Sequence, residues 1–148
     1  MAKVIKIAVS QSFGSMMKSL DYAEAIQGEG IIGDRHFKKI NQKKNQITFI
    51  ESENIDNFNK LIGKNIPYIN FRRNIVTQGI KLNDLIKKEF SIGEAIFKVH
   101  DLCEPCRNLQ ESLKEKTFVK YFLHKGGLRC EILTNEKIKI NDDISYDF

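Results

Sequence analysis

The chain has no run of about 18 apolar residues, so nothing in it reads as a membrane-spanning helix. Its first residues, Met1-Ala-Lys-Val-Ile-Lys-Ile, alternate and then pass into polar sequence. They lack the apolar block of a secretory signal, and a cytoplasmic location is the expectation. Prolines are few, Pro67 and Pro105 only, and no Pro/Gly/Ser-rich linker, repeat or low-complexity tract divides the chain. The 148 residues are therefore read as one domain, long enough to bury a core without staples. Three cysteines are too few, and odd in number, for a secreted disulfide framework, which favours reduced thiols. The net charge of +5 comes with no basic helical stripe. It fits a pocket for a phosphorylated small molecule as well as it fits nucleic acid, and for any single lysine a solvated surface is the plainer reading.

Period-two patterning dominates what is present. Ile5, Ile7 and Val9 share a face, as do Leu128, Cys130 and Ile132, and then Ile138 and Ile140. Short apolar runs occupy 46–50 and 74–77, and 95–102 alternates, with Phe97 and Val99 facing opposite to Lys98 and His100. Helical spacing is rarer. Ile55, Phe58, Leu61 and Ile62 form one face ended by Gly63; Leu109 and Leu113 are four apart; Phe118, Tyr121 and Phe122 run up to Gly126-Gly127 as a stop. Asn83-Asp84 reads as one helical turn. Many short strands with a few inserted helices predict a mainly β (α+β) fold built on a closed or partly closed barrel, rather than a Rossmann-type sheet.

Four segments carry residues with chemistry. In Gly28-Glu-Gly-Ile-Ile-Gly-Asp-Arg-His36 the glycines superficially echo a dinucleotide loop, but no strand–loop–helix unit surrounds them. Either the turn delivers Asp34, Arg35 and His36 to a site, or it is a Gly-rich hairpin with exposed charges. Arg35 offers a planar fork for phosphate or carboxylate, and His36 can donate a hydrogen bond or move a proton near neutral pH. Ahead of the strand at 74–77, Arg72 and Arg73 stand side by side and Asn74 follows. Neighbours in an extended chain point opposite ways, so one arginine is expected in a pocket and the other in solvent, unless both are surface charge.

The segment Asp101-Leu-Cys-Glu-Pro-Cys-Arg-Asn-Leu109 sets two cysteines three apart, between a strand-like and a helix-like run. Pro105 restricts Glu104 to extended conformations. Cys106 then falls at a helix start beside Arg107, where a thiolate is favoured, and becomes the candidate nucleophile or metal ligand. Cys103 is a neighbour or half-buried, and Cys130, among apolar neighbours, is a core residue. Finally, Gly126-Gly127 precedes the last long strand, either to let backbone approach a ligand or as a plain loop.

In order, the motifs GIIGDRH, NFRRNIV with GIKLNDL, FSIGEAIFKVHDLCEPC and KGGLRCEIL resemble the MOSC domain, named for the C-terminal domain of molybdenum cofactor sulfurase. The resemblance spans roughly residues 28 to 143 and is greatest to small stand-alone bacterial members. It implies a MOSC-like β-barrel that binds the molybdenum cofactor (molybdopterin) or handles its sulfur. The second cysteine of the turn, here Cys106, would ligate molybdenum in an enzyme reducing N-hydroxylated compounds, or carry a persulfide in a sulfur carrier. Arg35, His36, Arg72 or Arg73, and Asn74 would then be ligands of the phosphate and pterin, with Lys18 at a loosely aligned anion-binding position. A reductase electron donor or a cysteine desulfurase would be the protein partner. His36, His100 and Glu104 are candidate proton donors. Where many members carry Gly-Asp near the end, this chain has Asn141-Asp142-Asp143, and Asn can adopt the left-handed conformation that Gly supplies. The lysines at 38, 39, 43 and 44 read as a solvated or anion-attracting loop.

Other readings remain open. A zinc site from Cys103, Cys106 and a distant Cys130 or His would lack the usual second ligand pair. A thiol redox protein would need a thioredoxin-like βαβ context around its CxxC. A non-catalytic module binding an anion such as RNA would want aromatics interleaved with its basic residues. Pyridoxal phosphate is not expected.

Overall fold

The computed structural model describes residues 1–39 and 43–146. Among them the strands are β1 (Lys3–Val9), β2 (Lys18–Leu20), β3 (Tyr22–Ile26), β4 (Gly30–Ile31), β5 (Ile47–Glu51), β6 (Ile75–Gln78), β7 (Glu89–Ile92), β8 (Ala95–Leu102), β9 (Leu128–Ile132), β10 (Glu136–Lys139) and β11 (Ile144–Ser145). The helices are α1 (Ser52–Ile62), α2 (Arg107–Leu113) and α3 (Phe118–Phe122), with 3-10 turns at Lys43–Asn45, Tyr68–Phe71 and Leu82–Leu85. This is the mostly-β architecture with a few short helices that the patterning predicts.

One sheet runs in the order β11-β7-β8-β9-β5-β6-β1-β2, and a smaller one in the order β10-β3-β4. The large sheet curls into a half-barrel. Backbone bonds from Val4 N to Asp142 O and from Ile144 N to Ala2 O bring β1 against the turn before β11, so the curl folds back on itself. Asn141 makes that turn at φ +74, the left-handed conformation expected of it. β5 and β6 pair in parallel across the α1 crossover.

Two apolar clusters follow from strand alternation. Ile47 and Phe49 of β5, Ile75 of β6, Val99 of β8, and Leu128 and Cys130 of β9 fill the concave side of the curl. From the other face, Ile50 and Val76 meet Ile55 and Phe58 of α1, Leu109 of α2, and Phe118 and Phe122 of α3. Rings of Phe71, Phe118, Tyr121 and Phe122 pack on Phe58, and each such pair adds about 0.5–1.5 kcal/mol beyond area burial. The middle of the sheet is thus buried on both faces, and polar side chains can reach solvent only where the helices stop covering it.

Several sequence expectations are corrected. Ile5 does not join Ile7 and Val9, because the β1–β6 register shifts between Val4 and Lys6; Val4 turns inward and Ile5 packs on the helical cluster. Leu61 is exposed, since at 100° per residue it sits about 90° round from the stripe of Ile55, Phe58 and Ile62. Gly126-Gly127 does not stop α3, which ends at Phe122. These glycines serve a backbone crossing. A Cβ at Gly127, where φ is +103, would overlap the Phe49 carbonyl oxygen, and one at Gly126 would overlap that of Cys103.

Candidate functional site

On β5, Thr48 lies between the inward Ile47 and Phe49; on β9, Arg129 lies between the inward Leu128 and Cys130. Thr48 and Arg129 are cross-strand partners, so both project from the convex face. There they floor a cleft of about 260 Å3 whose walls are the turns at 34–36, 72–74 and 103–106. The helical layer ends beside it, because α2 begins only at Arg107.

Three polar residues frame the cleft and spend their hydrogen bonds on the frame. Asp34 is buried; its Oδ1 accepts from Ser10 N at 3.0 Å and from Asn74 Nδ2 at 3.4 Å, and its Oδ2 from His36 N at 3.3 Å. Asn74 also donates to Ala8 O and accepts from Thr48 N at 3.0 Å, which ties β1 to β5. Arg73, 9% exposed, donates through Nε to Gly126 O, through Nη1 to Phe71 O and through Nη2 to Cys103 O. The Gly-Gly crossing and the cysteine turn are therefore laced together by one guanidinium. Buried carbonyls without a partner would each cost about 1–3 kcal/mol, which makes this lacing structural.

Arg72 breaks the expectation that neighbouring arginines diverge. It adopts a left-handed conformation, φ +63, at the end of the Tyr68–Phe71 turn, and both it and Arg73 line the cleft. Its Nη1 donates to Ser15 O at 2.5 Å and its Nη2 to Ser10 Oγ at 3.1 Å. Burial holds the Arg72 guanidinium below its ordinary pKa, and the charge of Arg35 pushes the same way. Arg35 is held by its backbone N–H on Ser10 O, and its guanidinium stacks over the Phe13 ring at 5.2 Å. The fourth guanidinium is that of Arg129. Its Nε is buried and is the atom left without a hydrogen-bond partner among the buried side-chain polar atoms of the described residues. No described ion pair involves Arg35, Arg72 or Arg129. The cleft is thus a concentration of positive charge, offset within its lining by the carboxylates of Asp34 and Glu104.

The three cysteines form no disulfide and differ in setting. Cys130 is fully buried, and burial, then Cys103 and Asp101, drives its thiol well above the ordinary pKa. Cys103 is 8% exposed. Cys106 is exposed, lines the cleft and immediately precedes α2 without capping it through its side chain. Among the described residues no three His, Cys, Asp or Glu side chains converge as a metal site, which removes support from the zinc reading.

Of the residues singled out in the sequence, Arg35, His36, Arg72, Arg73, Asn74 and Cys106 meet in this cleft. Lys18 does not line it; it starts β2 with its side chain exposed, and the preceding Met17 is on the wall instead. Glu104 lines the cleft, its carboxylate accepting from His124 N and pairing with His124 Nδ1. His100 lies elsewhere, its Nε2 2.9 Å from Glu131 Oε1. Of the lysine-rich loop, Lys44 pairs with Asp101 at 3.2 Å, and residues 40–42 lie outside the described residues. Sequence reasoning missed Thr48 and Ser10. For Arg129, alternation with Leu128, Cys130 and Ile132 already puts it on the face opposite Cys130, as found, but gives it no role in a site.

Among the described residues no helix is long and apolar enough to cross a membrane. No curated protein matches the chain in sequence. Its fold is similar to that of the YuaD protein from Bacillus subtilis, with TM-score 0.81 at 20% identity over 99% of this chain and 98% of that one. It is similar also to YiiM from Geobacillus stearothermophilus, TM-score 0.80 at 14% identity over 100% and 76%, and to YiiM from Escherichia coli, TM-score 0.73 at 14% identity over 99% and 70%. The MOSC domain profile matches residues 32–145, a span that holds the cleft's 34–36, 72–74 and 103–106 turns and Arg129. The chain therefore belongs to the MOSC domain family, a family associated with the molybdenum cofactor.

Proposed function

We propose that this cleft binds a phosphate-bearing pterin complex of molybdenum, with Cys106 as the protein's sulfur ligand to the metal. The observation carrying the reading is one exposed thiol beside four guanidinium groups, one of which keeps a buried donor without a partner. The donor set suits the group. A thiolate is the soft ligand molybdenum accepts, and planar guanidinium forks are the preferred partners of phosphate oxygens. A metal that arrives inside an organic cofactor needs few ligands from the protein, so one cysteine suffices.

In this reading Arg35, Arg72 and Arg129 hold the anionic group, while Arg73, Asn74 and Asp34 keep the walls in place. The cofactor, when bound, supplies the redox chemistry. The chain's own residues orient it and manage protons. His36, whose backbone N–H is fixed by Asp34, is the first candidate to deliver a proton, and Glu104, held by His124, is the second. The reaction we assign is reduction of an N-hydroxylated compound, with electrons from a partner reductase. The exposure of Cys106 favours a second role as a sulfur carrier, because a desulfurase must reach the thiol to load it.

Metal analysis after expression in a host that makes the cofactor tests the reading. Wild type should retain molybdenum and reduce an N-hydroxylated base; Cys106→Ser should lose both, while Cys130→Ser should retain the metal at some cost in stability. Equal molybdenum in wild type and Cys106→Ser overturns the ligand role. A persulfide on Cys106 by intact mass, without molybdenum, selects the carrier.

A further inference from the structure

Cys106 stands on the wall between two cavities. The polar cleft lies to one side; on the other is a cavity of about 390 Å3 that shares Arg35, Arg72, Arg73 and Cys106 with it. The remaining lining of this second cavity differs in kind. Phe13 and Gly14 come from the loop joining β1 to β2, and Asn108, Leu109 and Ser112 from α2. The spacings of three and four between these α2 positions put them on one helix face. Leu109 is buried and gives an apolar floor, whereas Asn108 and Ser112 are exposed polar positions at the sides.

The loop carrying Phe13 is clamped at its base and bare at its tip. Ser10 Oγ donates to Ser12 O and lies 2.9 Å from Ser15 Oγ, and Arg72 holds the Ser15 carbonyl. Phe13 is nonetheless 76% exposed, with the Arg35 guanidinium over its ring. A Phe side chain left in water forgoes about 1.5–3 kcal/mol of burial, which an apolar ligand face against it would recover.

We propose that this second cavity binds a planar aromatic or heteroaromatic molecule bearing an anionic or hydrogen-bond-accepting group. The ring lies between Phe13 and Leu109, and the polar group meets Arg35 and Arg72 beside Cys106. That molecule is the reaction partner of whatever Cys106 holds, and it enters from the side that the occupant of the polar cleft leaves free. Its role as reaction partner rests on the function proposed above; its binding needs no cofactor.

Cys106 is the exposed thiol and Cys103 and Cys130 are buried, so alkylation by iodoacetamide, followed by intact mass, reports on this wall. Benzoate is the probe, with acetate as the matched acid lacking a ring. At about ten times its Kd, benzoate should slow Cys106 alkylation about tenfold, the factor set by occupancy, and acetate should not. Ser112→Phe, which fills the cavity from an exposed helix position, should abolish protection while leaving the melting temperature and its rise with inorganic phosphate unchanged. Equal protection by acetate, or protection that survives Ser112→Phe, overturns the proposal. Failure of molybdenum retention with benzoate protection intact sinks the cofactor reading alone; molybdenum retention without benzoate protection sinks the cavity alone.

Discussion

Replacing Arg129 by methionine keeps the length and apolar stem of the side chain and removes the guanidinium. Arg129 stands on β9 between Thr48 of β5 and Asp101 of β8, with its Nε buried and unpartnered. Such a donor costs about 1–3 kcal/mol in the free protein. Methionine removes that cost and one of four clustered positive charges. The free variant should therefore lose no stability and gain about 1 kcal/mol, which raises the melting temperature by about 2–4 °C in a chain of this size. Anion binding should move the other way. A hydrogen bond to a charged group contributes about 1.5–3 kcal/mol, so affinity for inorganic phosphate or pyrophosphate should fall about 10- to 150-fold. Thermal scans and calorimetric titrations at one fixed ionic strength read both quantities, since salt screens exposed charges. Arg129→Lys restores the charge but not the planar fork, and should recover only part of the affinity. A methionine variant that is less stable by more than about 1 kcal/mol and binds phosphate as wild type does would refute the reasoning, because Arg129 would then serve the fold and not a ligand.

Arg73→Ala, which frees the carbonyls of Phe71, Cys103 and Gly126, should destabilise the protein by about 2–4 kcal/mol in urea melts, whereas Arg72→Ala should cost under about 1 kcal/mol; equal losses would contradict the division between frame and site. Gly127→Ala should cost more than about 3 kcal/mol by the same measurement, because its Cβ meets backbone at a positive φ, and a folded variant of wild-type stability would disprove the crossing. The raised pKa of Cys130 has a definite sign in pH dependence: the folded chain keeps a proton that the unfolded chain releases. Its contribution is complete below about pH 8.5, the unfolded value, and is lost above it by up to about 1.4 kcal/mol per pH unit, so Cys130→Ala should show a shallower fall in urea midpoint between about pH 8.5 and 10. Parallel curves for the two proteins would count against it.

The barrel was legible because period-two alternation survives in short segments: β8 and β9 read correctly, residue by residue, from Phe97, Val99, Leu128 and Cys130. It failed where backbone geometry departs from the ideal. A register shift at Ile5 reverses a face, and the left-handed Arg72 turns two divergent neighbours toward one cleft. Neither leaves a mark in residue type; arginine is not one of the non-glycine residues enriched at positive φ. The Gly-Gly pair was conspicuous, but its meaning depends on which strand passes over it, and that partner, Phe49, is far away in sequence.

The cleft itself shows a subtler limit. The sequence brings forward every polar residue near the cysteine turn, without separating those whose hydrogen bonds the fold consumes from those it leaves open. Asp34, Arg73 and Asn74 look as functional as Arg35 or Arg72 until their partners are known. Asp34 spends its hydrogen bonds on Ser10 N, Asn74 and His36 N, so its charge acts on Arg72 across space without a direct ion pair. Once Arg73 is spent on three carbonyls, its hydrogen bonds are committed to the frame. What remains uncommitted is the charge of Arg35, Arg72 and Arg129 and the sulfur of Cys106, and these come from four different stretches of chain. A frame that neutralised them internally would gain stability, since clustered like charges beside a buried, unpaired donor are costly. The protein instead carries that cost in the one place where an exposed thiol faces the same space, which is the arrangement expected when an anionic guest completes the site.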